Sequence, residues 1–174
     1  MTLLKKLMAV FSVTVSLNAI GQKNCDYKID TLKILRNENL DGFLSALQND
    51  SFEISYDKKD IPSFIKSQLD CLTHNFSIVN PNQEYQATDV VYKKLPNRKL
   101  IFLATSKDMI AMTYLIGGFA ESTHVLFIQF HDKKIVDLWT GPCIRDLKST
   151  SEILDYIREV RNKTSRLYGN KIYF

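Results

Sequence analysis

Four apolar segments follow one another in the second half of the chain, and only short polar turns separate them. The segments cover residues 99–105, 109–116, 124–130 and 135–140. Their period of two is typical of β-strands. Parallel neighbours would need a crossover of about a dozen residues, so connections this short predict antiparallel hairpins. The sequence therefore predicts an antiparallel meander.

The two central segments are apolar at both alternating positions, over residues 100–103 and 109–112. A strand of this kind is covered on both faces of its sheet or lies at the centre of a curved sheet, and the predicted helices can supply one cover. Residues 40–47 have apolar positions at helical spacing. A second helix is expected to start near Asp60, which can cap it, with Pro62 in the first turn.

A last helix is predicted from a capping box formed by Ser149 and Glu152. Its apolar positions are Ile153, Ile157, Val160, Thr164 and Leu167, and Gly169 ends it. Short extended segments are expected at 52–56, 77–79, 88–92 and 171–174. The pattern predicts an α+β fold, in which N-terminal helices and one C-terminal helix pack an antiparallel sheet of about four to six strands.

The first residues have the order of a secretory signal peptide. Lys5 and Lys6 precede an apolar run over residues 7–17, and the small residues Ala19 and Gly21 follow it. A membrane anchor is the alternative, but a spanning helix needs about 20 apolar residues, more than this run provides. We expect residues 1–21 to be removed by a cut after Gly21, so that the protein is secreted or periplasmic.

The remaining residues, 22–174, suit a single domain with a real core. The net charge of the whole chain is +4, and because Lys5 and Lys6 carry two of these charges the mature part is close to neutral. Its basic residues are interleaved with acids, so no footprint for nucleic acid is expected. The sequence also shows no second apolar span, so no membrane span is expected after cleavage.

The chain contains three cysteines, Cys25, Cys71 and Cys143. Export permits a disulfide, and three thiols allow three pairings that each leave one cysteine unpaired. We expect one pair, whose identity the sequence leaves open; the alternative for Cys71 is simple burial on a helix face. A lipid anchor on Cys25 is not indicated, because Gln-Lys-Asn precedes it. The cysteine spacings fit no zinc or redox motif, and no cofactor is expected.

Motifs for nucleophilic catalysis, phosphate binding and metal-dependent hydrolysis are absent from the sequence. His124 is the most suggestive single residue, because it opens a predicted strand with the parity of Leu126. One interpretation places it in a pocket at the sheet rim together with Tyr114 and Trp139. Asp137, Glu121 or Ser122 would be its partner. His124, Trp139, Tyr114 and Asp137 are therefore candidate binding residues, and no catalytic residue is predicted.

Each of these residues also has a simpler interpretation. His124 can be a strand-end histidine satisfied by backbone carbonyls, and Trp139 can belong to the core. Asp137 is either outward-facing or a buried carboxylate with a partner. Arg98 is expected to be solvated in a hairpin, and the pair at 117–118 to provide positive φ in a loop.

Several segments of the β-rich half together resemble a pattern in small exported proteins of the Bacteroidetes. These segments are 87–92 (Ala-Thr-Asp-Val-Val-Tyr), 95–102 (Leu-Pro-Asn-Arg-Lys-Leu-Ile-Phe), Gly117-Gly118, His124-Val125-Leu126 and 137–141 (Asp-Leu-Trp-Thr-Gly). The resemblance implies an exported compartment and a shared fold. It implies no catalytic residues.

The leading functional prediction is a non-enzymatic module that binds another protein, similar in kind to an inhibitor or an immunity protein. The alternative is a small-molecule binder or hydrolase with a sheet-rim pocket around His124. A third possibility is a structural role in the cell envelope. A filled sheet with an exposed apolar patch would favour the first, and a deep pocket holding His124 and a carboxylate the second.

Overall fold

The computed structural model describes residues 25–90 and 93–163. The helices are α1 (Thr31–Leu35), α2 (Leu40–Asn49), α3 (Ser63–Thr73) and α4 (Thr150–Lys163), and a 3-10 turn covers Lys58–Asp60. The strands are β1 (Glu53–Ser55), β2 (Ile78–Val79), β3 (Arg98–Thr105), β4 (Met109–Ile116), β5 (Ser122–His131) and β6 (Lys134–Cys143). No helix in this part of the chain combines the length and the apolar character that crossing a membrane requires.

The strands form one six-stranded sheet in which β3, β4, β5 and β6 pair in sequence order, each antiparallel to the next. Two short strands share the outer edge of β3. β1 pairs antiparallel with its C-terminal end, and β2 pairs parallel with its first residues. The predicted α+β fold and meander are thus confirmed, with strand bounds within two or three residues of the expected ones.

Helices cover both faces of this sheet, which is one of the two arrangements that the apolar character of the central strands allows. On one face Phe43 of α2 stacks on Phe127 of β5, with ring centroids 5.5 Å apart. α4 packs beside α2 on this side. On the other face Phe64 of α3 meets Phe130 edge to face at 5.2 Å. The sheet is therefore the middle layer of three.

The last helix begins as its capping box predicts. The backbone N–H of Glu152 donates to Ser149 Oγ at 3.2 Å. The Glu152 carboxylate reaches one residue further than expected and accepts from the backbone N–H of Lys148 at 2.7 Å. The α4 face with Ile153 and Ile157 is buried, as expected.

Three local predictions are wrong. Asp60 does not cap α3, since it lies in the 3-10 turn and its carboxylate accepts from Ser55 Oγ; Pro62 occupies the N-cap position instead. Arg98 is only 6% exposed, because Asn75 and Phe76, in the segment after α3, contact its side chain. Described residues of the 88–92 segment form no strand, and Thr88 makes a single bridge to Gly118.

Other predictions lie outside the described residues. These are the signal peptide at 1–21, the continuation of the last helix through Thr164 and Leu167, the stop at Gly169 and the strand at 171–174.

Candidate functional site

His124 lies in a buried cluster on the face of the sheet that α3 covers. It is 2% exposed, and its ring stacks on Tyr114 of the neighbouring strand with centroids 5.9 Å apart. Phe76, which follows α3, meets Tyr114 edge to face at 6.1 Å. Arg98 lies over the Phe76 ring at 5.0 Å and donates to the backbone carbonyl of Asn75. The cluster joins β3, β4 and β5 to the end of α3.

Burial dominates the electrostatics of this cluster. Burial and, to a smaller extent, the nearby positive charge of Arg98 together lower the pKa of His124 to about 4. Burial also raises the pKa of the Tyr114 hydroxyl to about 12. Both rings are therefore neutral at pH 7, and Arg98 brings a positive charge among them.

Of the three partners considered for His124, Ser122 is the one that the structure places beside it. Ser122 Oγ lies 2.9 Å from His124 Nε2. This distance would suit a nucleophile and its general base. A base works best with a pKa near the working pH and must reach the substrate, whereas His124 is buried and has a strongly lowered pKa. Ser122 and His124 thus contribute to packing at the end of the sheet.

Trp139 and Asp137 lie on the opposite face of the sheet from His124 and Tyr114. Trp139 stacks on Phe127 at 5.5 Å and donates from its indole N–H to Asn37 Oδ1 at 3.0 Å. The structure therefore divides the four predicted binding residues into two pairs. The core interpretation of Trp139 is confirmed, since the side chain is 1% exposed.

Asp137 has the partners that a half-buried carboxylate requires. Lys33 Nζ donates to its Oδ2 at 2.8 Å, and Asn39 Nδ2 donates to its Oδ1 at 2.8 Å. Asp137 thereby ties α1 and the start of α2 to β6.

Cys25 and Cys71 form a disulfide across 46 residues of sequence, which ties the segment before α1 to α3. Cys143 is the remaining free cysteine and is buried. Burial raises the pKa of its thiol to about 12, so that it stays protonated and unreactive at neutral pH.

Among the described residues, two large apolar side chains that are almost fully exposed lie in segments at the same end of the sheet. Phe119, between β4 and β5, is 97% exposed, and Ile144, after β6, is 91% exposed. Two contacts make their segments neighbours: Thr123 of β5 pairs with Cys143 of β6, and Gly118 N donates to the Ala87 carbonyl. We call the segments 87–90, 117–121 and 144–146 the loop end.

Backbone packing holds the Phe119 loop in place. The positive φ predicted for the glycine pair is found at Gly118, where φ is +146°, and not at Gly117. A Cβ at Gly117 would overlap the carbonyl oxygen of Gln86. The backbone at Gly117 therefore packs directly against the backbone of residues 86 and 87.

Sequence reasoning missed Arg98 and the loop end. The burial of Arg98 depends on Phe76, which is 22 positions away in the printed sequence. The exposure of Phe119 could have been inferred from the sequence, because it is a large apolar residue in a segment predicted as a loop, where there is no core for it to pack against.

Among the residues that the structure describes, no group of His, Cys, Asp and Glu side chains is arranged to hold a metal ion. Comparison of the chain with protein-family models, curated proteins and solved structures found no match.

Proposed function

We propose that the protein is an exported, non-enzymatic binding module that inserts its loop end into a concave apolar surface of another protein. The observation that carries the proposal is the exposure of Phe119, at 97%, on a loop that two long strands hold in place. Binding residues commonly lie on loops that a rigid scaffold positions.

The composition of the loop end supports a protein as the partner. The loop end contains a third exposed apolar side chain beside Phe119 and Ile144, that of Val90, which is 51% exposed. Around them lie exposed charges of both signs, among them Asp89, Glu121 and Arg145. An apolar centre within a polar rim is the usual make-up of a protein interface. A membrane surface or nucleic acid would call for an excess of basic residues.

Shape argues against a second copy of this chain at the same site. A symmetric dimer joins the same patch on both subunits, so the patch must be complementary to itself. Side chains exposed as fully as Phe119 and Ile144 project from the surface, and two projecting loops meet only at their tips. A partner with a pocket receives them better, which is the geometry of an inhibitor-like protein.

Export is part of the proposal. The Cys25–Cys71 disulfide supports it, because disulfides persist in oxidising compartments. The signal peptide at 1–21 remains a prediction, which mass spectrometry of the protein from native cells tests. We expect Gln22 at the mature N-terminus.

The alternative, a small-molecule binder or hydrolase at His124, has one supporting observation in the Ser122–His124 distance of 2.9 Å. We prefer the binding module because His124 is buried and Trp139 lies on the other face of the sheet.

The test is affinity capture from native envelope and medium, with the parent protein and four matched variants as baits. Phe119→Ser and Ile144→Ser alter the loop end, whereas Leu32→Ser and Val136→Ser alter exposed apolar residues elsewhere, at 61% and 50% exposure. We expect the parent and the two control baits to retain one partner that both loop-end variants lose. Loss of a hot-spot aromatic typically costs 2 kcal/mol or more of binding free energy, about 30-fold in affinity.

Three results would overturn the proposal. In the first, the parent bait captures no specific protein. In the second, the loop-end variants retain the partner. In the third, the parent dimerises in a concentration-dependent way and Phe119→Ser does not, which would mean that the surface joins two copies of the chain.

A further inference from the structure

Strand β6 is the last strand of the sheet, so its outer edge pairs with no other strand among the described residues. Native proteins usually cover such an edge, because its free N–H and C=O groups can pair with another chain. Here the edge is covered by α3, which lies on one face of the sheet, and by the chain that leads into α2, which lies on the other face. We call residues 25–39, which include α1, the strap.

Gln68 of α3 covers the start of the edge. Its Nε2 donates to the backbone carbonyl of Lys133 at 2.9 Å, and its Oε1 accepts from the backbone N–H of Ile135 at 2.9 Å. The side chain of Gln68 therefore provides one donor and one acceptor to the backbone, as a neighbouring strand would.

The strap covers the middle of the edge. Asn39 Nδ2 donates to the backbone carbonyl of Leu138 at 3.0 Å, and Lys33 Nζ donates to Asp137 Oδ2 at 2.8 Å. Two consecutive residues of β6 are thus held by side chains of the strap.

The Cys25–Cys71 disulfide joins these two covers directly. Cys71 lies in α3 about one helical turn after Gln68, and Cys25 is the first residue of the strap. The bond therefore fastens the strap to α3 beside the β6 edge. Both cysteines are partly exposed, so a thiol in solution can reach the disulfide.

Little burial holds the strap apart from this bond. Ile34 and Asn39 are its buried side chains, while Tyr27 and Ile29 pack against the core but remain partly exposed. The helix α1 has five residues and is too short to be stable by itself. Segments with few buried apolar contacts open locally while the rest of a protein stays folded.

We propose that the strap and the disulfide form a redox-sensitive switch that controls access to the β6 edge. A dithiol reductant transfers two electrons and two protons to the Cys25–Cys71 bond; the two cysteines become thiols and the reductant becomes a disulfide. The strap then separates from β6 and exposes its edge, while the sheet remains folded. The switch involves the start and middle of β6 and does not depend on the loop end.

The test follows Trp139 by ¹H–¹⁵N NMR in the full protein, before and after treatment with dithiothreitol. Trp139 is the single tryptophan of the chain, and its indole N–H donates to Asn37 Oδ1 of the strap at 3.0 Å. We expect the indole signal and the amide signals of residues 25–39 to move on reduction. The amide signals of β4 should keep their positions, because β4 lies inside the sheet.

Limited proteolysis gives a second measurement. After reduction, trypsin should cut the strap at Lys33 and Arg36 at least about tenfold faster, because cleavage follows the population of the open form. Lys107, in the turn between β3 and β4, is exposed and serves as the internal control. Cleavage there should not change.

Variants assign the response to the disulfide. Cys143→Ser keeps the disulfide and should respond to dithiothreitol as the parent does. Cys71→Ser should show the signals of the open strap without reductant. The reduced parent carries no substitution, so it tests the proposal even if Cys71→Ser does not fold.

Two results would overturn the proposal. In one, the indole signal and the signals of the strap keep their positions in the reduced parent. In the other, signals from the whole protein lose their dispersion on reduction, or trypsin cleavage at Lys107 accelerates as much as cleavage in the strap. The disulfide would then stabilise the whole fold and not the strap.

Discussion

Replacing His124 with glutamine tests the electrostatics of the buried cluster. The imidazole has a pKa of about 4 in the folded protein, against 6.5 for an exposed histidine. In the unfolded chain the ring takes up a proton as the pH falls through about 6.5, whereas in the folded protein it does so near pH 4. Between these values the unfolded state binds more protons, so acid favours unfolding.

The expected size of the effect follows from the two pKa values. They differ by roughly 2.5, and each unit corresponds to about 1.4 kcal/mol, so the contribution is about 3 kcal/mol. It is fully present above pH 6.5 and is lost as the pH falls from 6.5 to 4. Asp41 and Asp57 have lowered pKa values, through Arg161 and through backbone hydrogen bonding respectively. They stay ionised over most of this window.

Urea unfolding at a series of pH values measures the effect, with Trp139 fluorescence as the signal. Trp139 is the single tryptophan of the chain and is 1% exposed, so its emission should shift to longer wavelength on unfolding. The parent should lose about 3 kcal/mol more than His124→Gln between pH 7 and pH 4. Carboxylates common to both proteins cancel in this comparison.

A second variant tests the same electrostatics with His124 left in place, in case His124→Gln itself packs poorly. Arg98→Met removes the charge that helps to lower the pKa of His124. The pKa should rise, and the acid-dependent loss of stability should become smaller. If His124→Gln shows the same loss between pH 6.5 and 4 as the parent, the buried neutral imidazole is not its source and the reasoning fails.

Three further predictions concern stability. Cys71→Ser should lower the free energy of unfolding by about 3–4 kcal/mol, through loss of the disulfide loop, and equal stability of Cys71→Ser and Cys143→Ser in chemical denaturation would contradict this. Trp139→Phe should lower the free energy of unfolding by about 1–3 kcal/mol, because it leaves a cavity and removes the N–H that donates to Asn37 Oδ1. An unchanged denaturation midpoint would argue against that contact. Leu69→Ala should cost about 2–5 kcal/mol because Leu69 is fully buried, while Leu32→Ala, at 61% exposure, should stay within about 0.5 kcal/mol by calorimetry.

The candidate sites were less predictable than the fold. The pairing of His124 with Ser122 and Tyr114 follows from strand parity and register, which are local properties of two adjacent strands. The prediction that Trp139 joins them rests on its position near the end of a strand. A position near the end of a strand does not determine which face of the sheet a side chain occupies. Trp139 and His124 lie on opposite faces.

The sequence by itself determined the meander and the start of the last helix, because alternation, short turns and a capping box act between residues close in the chain. Only the tertiary structure decided which cysteines pair, that Arg98 is buried under Phe76, and that Trp139 lies on the opposite face of the sheet from His124. Each of these depends on where helices dock on the two faces of the sheet. Docking is set by contacts between residues far apart in sequence, such as Asn37 with Trp139 across 102 positions, and local patterns do not encode such pairs.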